Sequence, residues 1–300
     1  MVTKTVNFSG RTFEIEGVAA DDPYFAGLAD HSDADFARLI ATMLPVDATA
    51  LDIGANIGIT SCMLGQHLTN GQVFSFEPSP SVYPILSRNI AANNLANVTT
   101  RQLAMGAKKG KLGFVGESAY GHLVSSDETE SQKMGNTVSV ETIDRIVKEK
   151  NLGQIDFIKI DVEGFEDQVL AGGSETEAKF APLYYMEFNA FCIAAYRQLN
   201  PFDFAQQVLQ RFEHVYLVAQ DGSFERLAKD PAHLLHTNIV NEGSVSNLLM
   251  TNDPKRLEMR EKVHLDELLD LKTQLAHVTN ERNHARRYPW KYLRSALKRR

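Results

Sequence analysis

Residues 51–60 read LDIGANIGIT. An acid, Asp52, stands inside the end of an apolar run, and two glycines, Gly54 and Gly58, turn the chain before a second apolar stretch begins. The run Ala48–Ile53 reads as a buried strand and Ile57–Leu68 as a helix. A glycine turn between a parallel strand and a helix lets backbone approach a bound nucleotide closely. The helix N-terminus adds N–H donors and partial positive charge.

The dinucleotide fingerprint G-x-G-x-x-G needs a third glycine and binds a pyrophosphate. Here the wording is D-x-G-x-x-x-G. A carboxylate before the first glycine repels a pyrophosphate and suits a ligand with a cationic end, an ammonium or a sulfonium; S-adenosylmethionine carries both. The bland alternative is a tight strand-to-helix turn, with Asp52 as an anion near a helix start.

Working outward, the same unit repeats. Gln72–Glu77 (QVFSFE) is a second strand, Val82–Asn93 a second helix and Val98–Ala104 a third strand. Later strands are expected at Thr137–Glu141, Ile155–Ile160, Leu183–Phe188, His214–Val218 and Asn247–Thr251, with helices at Ile143–Lys150, Glu166–Ala171 and Phe202–Phe212. Strand and helix alternation with short Gly, Asn and Pro connections predicts a doubly wound, mostly parallel α/β sheet. Ahead of it, alternation around a Ser-Gly pair predicts an N-terminal hairpin, and Phe36, Leu39, Ile40 and Met43 fall at helical spacing. Residues 105–136 are irregular except for a short candidate strand at Lys111–Val115. A loop of that length is expected to cover a ligand.

Acids mark the strand ends. Glu77 follows Asp52 by 25 residues, near the spacing at which an acid accepts hydrogen bonds from ribose hydroxyls. In IKIDVEGFE, Asp161, Glu163 and Glu166 cluster after a buried strand, and Glu187 ends the next one. In an open parallel sheet, ligands sit beyond the carboxyl ends of the strands. Asp52, Glu77, Asp161 and Glu187 therefore crowd the edge where a ligand belongs, an arrangement that is costly unless they face cations, donors or water. Glu166 also suits the plain role of an acid starting a helix.

Composition bounds the rest. The 300 residues are 43% hydrophobic and 23% charged, with a formal net charge of -7, so no global field draws in nucleic acid. From Arg282 onward there are eight Lys/Arg and no Asp/Glu, leaving -15 for residues 1–281. Two cysteines, Cys62 and Cys192, make no disulfide framework, and no Cys/His cluster has zinc spacing. The N-terminus lacks a signal-peptide core, and no apolar stretch is long enough to span a bilayer, so a cytoplasmic body is expected. His264, Leu268, Leu271, Leu275 and Val278 form a narrow helical seam, followed by the basic, aromatic RRYPWKYLRSALKRR. Three readings of that tail stand: a solvated segment, contact with an anionic membrane face, or docking on a partner enzyme. The tail also resembles C-terminal segments of some bacterial polysaccharide-assembly proteins, a likeness that implies a place beside a glycan-assembly enzyme at the inner membrane surface. The domain expectation is 1–45 for the hairpin and helix, 46–253 for the main domain, 254–283 for a C-terminal helix and 284–300 for the tail.

Taken together, LDIGANIGIT, VFSFEPSP, VSVETIDRIV and IDFIKIDVEGFE resemble the FkbM family of S-adenosylmethionine-dependent methyltransferases over roughly residues 46–190. The resemblance implies a seven-stranded, Rossmann-like sheet of the class I methyltransferase type. It also implies O-methylation of a hydroxyl on a saccharide or another natural product. It would place Asp52, Gly54, Asn56 and Gly58 under the methionine part of the cofactor, Glu77 on the ribose hydroxyls, and Gln102 near the adenine. Asp161 would stand near the methyl group and the acceptor, with Glu163 and Glu187 on the acceptor side.

Methyl transfer to oxygen requires an aligned nucleophile and loss of its proton. Asp161 is the first candidate base and His122, in GESAYGHLVSS, the second. A divalent metal on Asp161, Glu163 and Glu187 is an alternative route that nothing in the spacing demands. Two other functions fit less well. A nicotinamide-dependent oxidoreductase lacks its third glycine and a Tyr-x-x-x-Lys pair. A non-catalytic scaffold on the same fold would not need Asp52, Glu77 and Asp161 together. Oligomeric state is not legible.

Overall fold

The computed structural model describes residues 2–8, 11–28, 34–116, 121–124, 137–219, 223–241 and 243–258. The expected C-terminal helix and basic tail lie outside them. Among the described residues no helix is long and apolar enough to cross a membrane.

Strands β1 (Val2–Phe8) and β2 (Arg11–Gly17) form the expected antiparallel hairpin, with Phe13 and Ile15 buried by alternation. Helices α1 (Pro23–Gly27) and α2 (Ala34–Met43) follow. The winding unit then runs β3 (Thr49–Ile53), α3 (Ile59–His67), β4 (Gln72–Phe76), α4 (Tyr83–Ala92) and β5 (Val98–Arg101). Next come β6 (Ala104–Met105), β7 (Gly110–Val115), β8 (His122–Val124) and β9 (Thr137–Glu141). The remainder is α5 (Ile143–Glu149), β10 (Phe157–Ile160), α6 (Glu166–Ala171), α7 (Ser174–Phe180), β11 (Leu183–Asn189), α8 (Ala190–Ala195), α9 (Pro201–Arg211), β12 (His214–Val218), β13 (Phe224–Arg226), α10 (Pro231–His236) and β14 (Val245–Thr251).

Among the described residues, eight strands form the main sheet in the order β13-β12-β14-β11-β10-β3-β4-β5. From β11 to β5 the strands are parallel; β14 runs antiparallel to β11 and β12, and β13 antiparallel to β12. The chain steps outward from β3 in one direction and from β10 in the other, so β3/β10 is the topological switch point. There, crevices open beyond the carboxyl ends of strands.

Two expectations are corrected. Among the described residues the main sheet has eight strands rather than seven, because the short β13 adds an edge that its three residues, FER, do not advertise. The third strand stops at Arg101 rather than Ala104: Ala104 and Met105 instead pair parallel with β9 in a separate four-stranded sheet, β6-β9-β7-β8. That small sheet also takes up described parts of the segment read as irregular, 105–136; residues 117–120 and 125–136 of it lie outside the described residues.

Period-two alternation assigns the two faces of the main sheet different work. Leu51, Ile53, Phe74, Phe76, Ile158, Ile160, Tyr184, Met186 and Phe188 point into one core with α5, α6 and α9. The opposite face carries Phe157 and Tyr185, whose rings lie 6.1 and 5.2 Å from Phe36 of α2. On this second face, register aligns a polar rung across four strands: Ser75, Asp52, Lys159 and Tyr185.

The hairpin is docked by side chains rather than by strand pairing. The Asn89 amide of α4 accepts from Glu16 N–H (2.7 Å) and donates to Glu16 C=O (2.9 Å); Asn93 repeats the pattern on Glu14 (3.0 and 2.9 Å). Two asparagines one helical turn apart thus serve as a strand edge for β2.

Candidate active site

The turn after β3 has three left-handed residues, Gly54 (φ 78°), Asn56 (φ 51°) and Gly58 (φ 98°). Gly54 and Ala55 N–H both donate to Phe76 C=O at 3.0 Å, tying the turn to the end of β4. A Cβ on Gly54 would sit 1.7 Å from the Asp161 carbonyl oxygen, so the turn rests directly on the end of β10. Asn56 caps its own turn, its Oδ1 accepting from Ile57 N–H at 2.8 Å.

Asp52 is placed beneath the turn, fully buried. It accepts from Thr60 Oγ1 (2.8 Å) and Ser61 Oγ (2.6 Å) in the first turn of α3 and lies 3.8 Å from Lys159 Nζ. It does not line the cavity that opens above, of about 270 Å³; Gly54, Asn56, Thr60 and Glu77 do. Gly58 also stands back from the cavity, against Leu86.

Glu77 follows β4. Its Oε2 accepts from Asn56 N–H (3.0 Å) and its Oε1 from Ser79 N–H (2.8 Å). Burial pushes its pKa up to about 7, opposed by those two backbone bonds. The glycine turn and the second strand's acid, separate in sequence, are therefore one hydrogen-bonded unit.

Beyond β10, Asp161 lines the opposite wall with its side chain 36% exposed. Glu163 (φ 53°) and Gly164 (φ 98°) make a tight left-handed turn. Glu166 holds that turn, its Oε1 accepting from Val162 and Gly164 N–H at 3.2 Å each. Glu166 is thus structural rather than cavity-facing, as the plain reading had it. The Glu163 carboxylate lines the cavity and accepts from Cys192 Sγ at 3.0 Å; burial raises its pKa. Glu187 of β11 faces Asn247 of β14 across the ladder, and both line the cavity. Burial first, then the charges of Asp161 and Glu163, hold its carboxyl well above the ordinary range.

Besides Asp52 and Gly58, two further expected positions stand off the cavity. Gln102 is exposed and absent from the lining; Leu103, Ala104 and Met105 form that wall because the chain leaves the main sheet at Arg101. His122 does not line the cavity either. Its ring stacks on Tyr196 (centroids 3.8 Å, planes 7° apart), while its neighbours Gly121 and Leu123 reach the wall. Among the described residues no group of three His, Cys, Asp or Glu has metal-holding geometry.

Lys159 is the residue that reading for acids passed over. Its ammonium donates to Gly54 C=O (2.9 Å) and Asp161 Oδ2 (3.2 Å), and its side chain is 6% exposed. Burial alone would pull its pKa down; Asp161 and Asp52 outweigh that and hold it above the usual lysine range. The signal was present: a lysine inside the buried run IDFIKI needs a partner, and two residues on along a strand stands Asp161. Ser79, Thr60 and Asn247 had no such signal.

A stability prediction follows from Glu166, whose pKa burial raises from 4.5 to about 7. The folded state binds the proton more tightly than the unfolded chain does. Its contribution to stability is therefore full below the unfolded value and lost as pH rises through about 7. Urea melts are expected to show the Glu166→Gln protein losing less stability than wild type between pH 5 and pH 7.5, by up to roughly 3 kcal/mol. Equal slopes for the two would place the buried proton elsewhere.

A Rossmann-like α/β sheet with its cavity at the switch point, a D-x-G turn and an acid closing the next strand define the class I methyltransferase fold. The profile described as "Methyltransferase FkbM domain" matches residues 52–216, more than half of the chain, and the chain belongs to that family. It is similar to the methyltransferase sdnD of Sordaria araneosa (29% identical over 162 residues, 44% of this chain and 62% of that one). It is also similar to the 2-O-methyltransferase NoeI of Sinorhizobium fredii (27% over 162 residues, 49% and 66%). A third relative is the hexuronic acid methyltransferase AglP of Haloferax volcanii (25% over 142 residues, 47% and 56%). The chain thus spans 56% to 66% of the length of these curated relatives. A crystal structure of a methyltransferase FkbM from Methylobacillus flagellatus aligns over 79% of this chain and 48% of that one, at 16% identity and a TM-score of 0.42.

Proposed function

We propose that this protein is an S-adenosylmethionine-dependent O-methyltransferase acting on a saccharide hydroxyl. The observation that carries the reading is the charge of the cavity. Glu77, Asp161, Glu163 and Glu187 line it, and among the described lining residues Lys159 is the single Lys or Arg. Such a wall favours a ligand bearing an ammonium and a sulfonium and disfavours a pyrophosphate. Glu77 already accepts one N–H on each oxygen and keeps lone pairs for ribose hydroxyls. Asn56 and Thr60 offer further polar atoms on the same wall. When bound, the cofactor supplies an electrophilic methyl group.

The chain supplies orientation and a proton acceptor. The Asp161 carboxylate is held by the Lys159 ammonium at 3.2 Å, which fixes its orientation. Glu163 and Glu187 carry raised pKa values, which makes them stronger bases near neutrality. We therefore assign proton removal from the acceptor hydroxyl to the Glu163–Glu187 pair, and alignment of that hydroxyl to Asp161 and Asn247.

The saccharide part rests on two supports. Two relatives are named for hexuronic acid methylation and for 2-O-methylation. Next in sequence to Cys192, whose thiol bonds Glu163, Phe191 is 60% exposed and meets Tyr196 edge-on (centroids 5.8 Å, 82°), and His122 stacks on Tyr196. A sugar ring offers an apolar C–H face to such rings and hydroxyls to the carboxylates.

The test supplies methyl-labelled S-adenosylmethionine with hexuronic acid glycosides, neutral glycosides and simple phenols. Label is expected in a saccharide as an alkali-stable methyl ether, and Phe191→Ala is expected to raise the acceptor KM roughly tenfold with cofactor affinity unchanged. Label found only as an alkali-labile ester, or only on phenols, would overturn the assignment.

A further inference from the structure

Lys159 stands where the two halves of the sheet meet. Gly54 belongs to the turn leaving β3, Asp161 to the end of β10, and these strands are neighbours at the switch point. One ammonium hydrogen-bonds both, at 2.9 and 3.2 Å. A lysine present only to neutralise buried Asp52 would sit on Asp52. This one lies 3.8 Å from Asp52 Oδ1 and makes its hydrogen bonds to the two groups at the cavity edge. Phe157, two residues earlier on the same face, is fully buried against Phe36, so an apolar side chain serves the fold on this face and burying an ammonium at 159 is a cost the fold alone does not require.

We propose that Lys159 is a positioning residue that holds the Gly54 carbonyl and the Asp161 carboxylate to a single point, so that the cofactor-side turn and the acceptor-side acid keep a fixed relation. The turn has little room to find that relation otherwise. Its path is pinned at Phe76 C=O on one side and lies against the Asp161 backbone on the other. The free direction is the rotation of the Asp161 side chain, and Lys159 removes it. This inference rests on reading the cavity as the S-adenosylmethionine site.

A double-mutant cycle tests it. Affinity for S-adenosylmethionine, whose methyl-bearing sulfonium Asp161 would face, is measured by calorimetry on the full chain for wild type, Lys159→Gln, Asp161→Asn and the double variant, each checked for a cooperative melt. Lys159→Gln is expected to weaken binding about tenfold, and Asp161→Asn to add less than a threefold further loss in that background while costing at least tenfold alone. Independent effects, multiplying to within threefold, would overturn the proposal, since a lysine needed only for folding gives no coupling in affinity. If Lys159→Gln does not fold, Lys159→Arg, which keeps the charge but not the single contact point, replaces it in the same cycle under the same criterion. No binding to the wild-type chain would bring down the cofactor reading and this proposal with it; binding with independent effects would bring down this proposal alone.

Discussion

Gly54→Ala is expected to lose about 3 kcal/mol or more of stability, a large fraction of a typical domain's total. Two costs combine. An alanine at φ 78° pays roughly 1 kcal/mol for left-handed backbone. Its Cβ would then lie 1.7 Å from the Asp161 carbonyl oxygen, a backbone atom. That atom has nowhere to retreat, because Asp161 N–H is bonded to Ile53 C=O at 3.1 Å and β10 is interior to the sheet. Overpacking against such a wall costs roughly 1–3 kcal/mol by itself. Gly153→Ala is the matched control: nothing lies within 4 Å of its added Cβ, and a change within about 0.5 kcal/mol is expected. Urea unfolding of the two proteins side by side decides the matter. A Gly54→Ala protein as stable as the control would mean that the turn does not rest on β10.

Glu77→Ala is expected to weaken S-adenosylmethionine binding about 100-fold, the value of two hydrogen bonds to a charged acceptor. The same substitution strips the Asn56 and Ser79 N–H groups of their acceptor, so part of the loss reflects a loosened turn. Glu77→Gln separates the two effects through pH. With its pKa at about 7, the Glu77 carboxyl of the ligand-free protein is mostly protonated at pH 6 and mostly ionised at pH 8. If the ionised form receives the ribose hydroxyls, wild-type affinity rises about tenfold across that interval. The Glu77→Gln protein, with nothing to titrate there, is expected to bind weakly and with a flat profile. A wild-type profile as flat as the variant's would remove Glu77 from the ligand.

The sequence was most legible where a residue's local surroundings settle its environment. Asp52, Gly54 and Gly58 announced a turn because a glycine pair after a buried strand has few other uses, and β3, β4, β10 and β11 were visible as apolar runs too short for helices. Glu77 was legible by its distance from the turn. Legibility failed where partners come from far along the chain. Gln102 read as a strand-end residue because VTTRQLA is continuous in β-propensity; only pairing of Ala104 with Val140 shows that the strand has already broken. His122 read as a loop histidine near an acceptor, and its ring is taken up by Tyr196, distant in sequence.

By itself, then, the sequence determined a wound α/β sheet, the turn after its first winding strand and the set of acids at the strand ends. Those features follow from hydrophobic period, glycine backbone freedom and spacing, all local quantities. Tertiary structure alone decided which acids share a cavity, which are held by the fold and which meet a cation. Asp52 went beneath the turn, Glu166 into the 162–164 turn, and Asp161 onto Lys159. The reason is that a carboxylate's role depends on its burial and its neighbours within a few ångströms. Those are set by register between strands, Asp52 beside Lys159 above all, and register is not written in either strand alone.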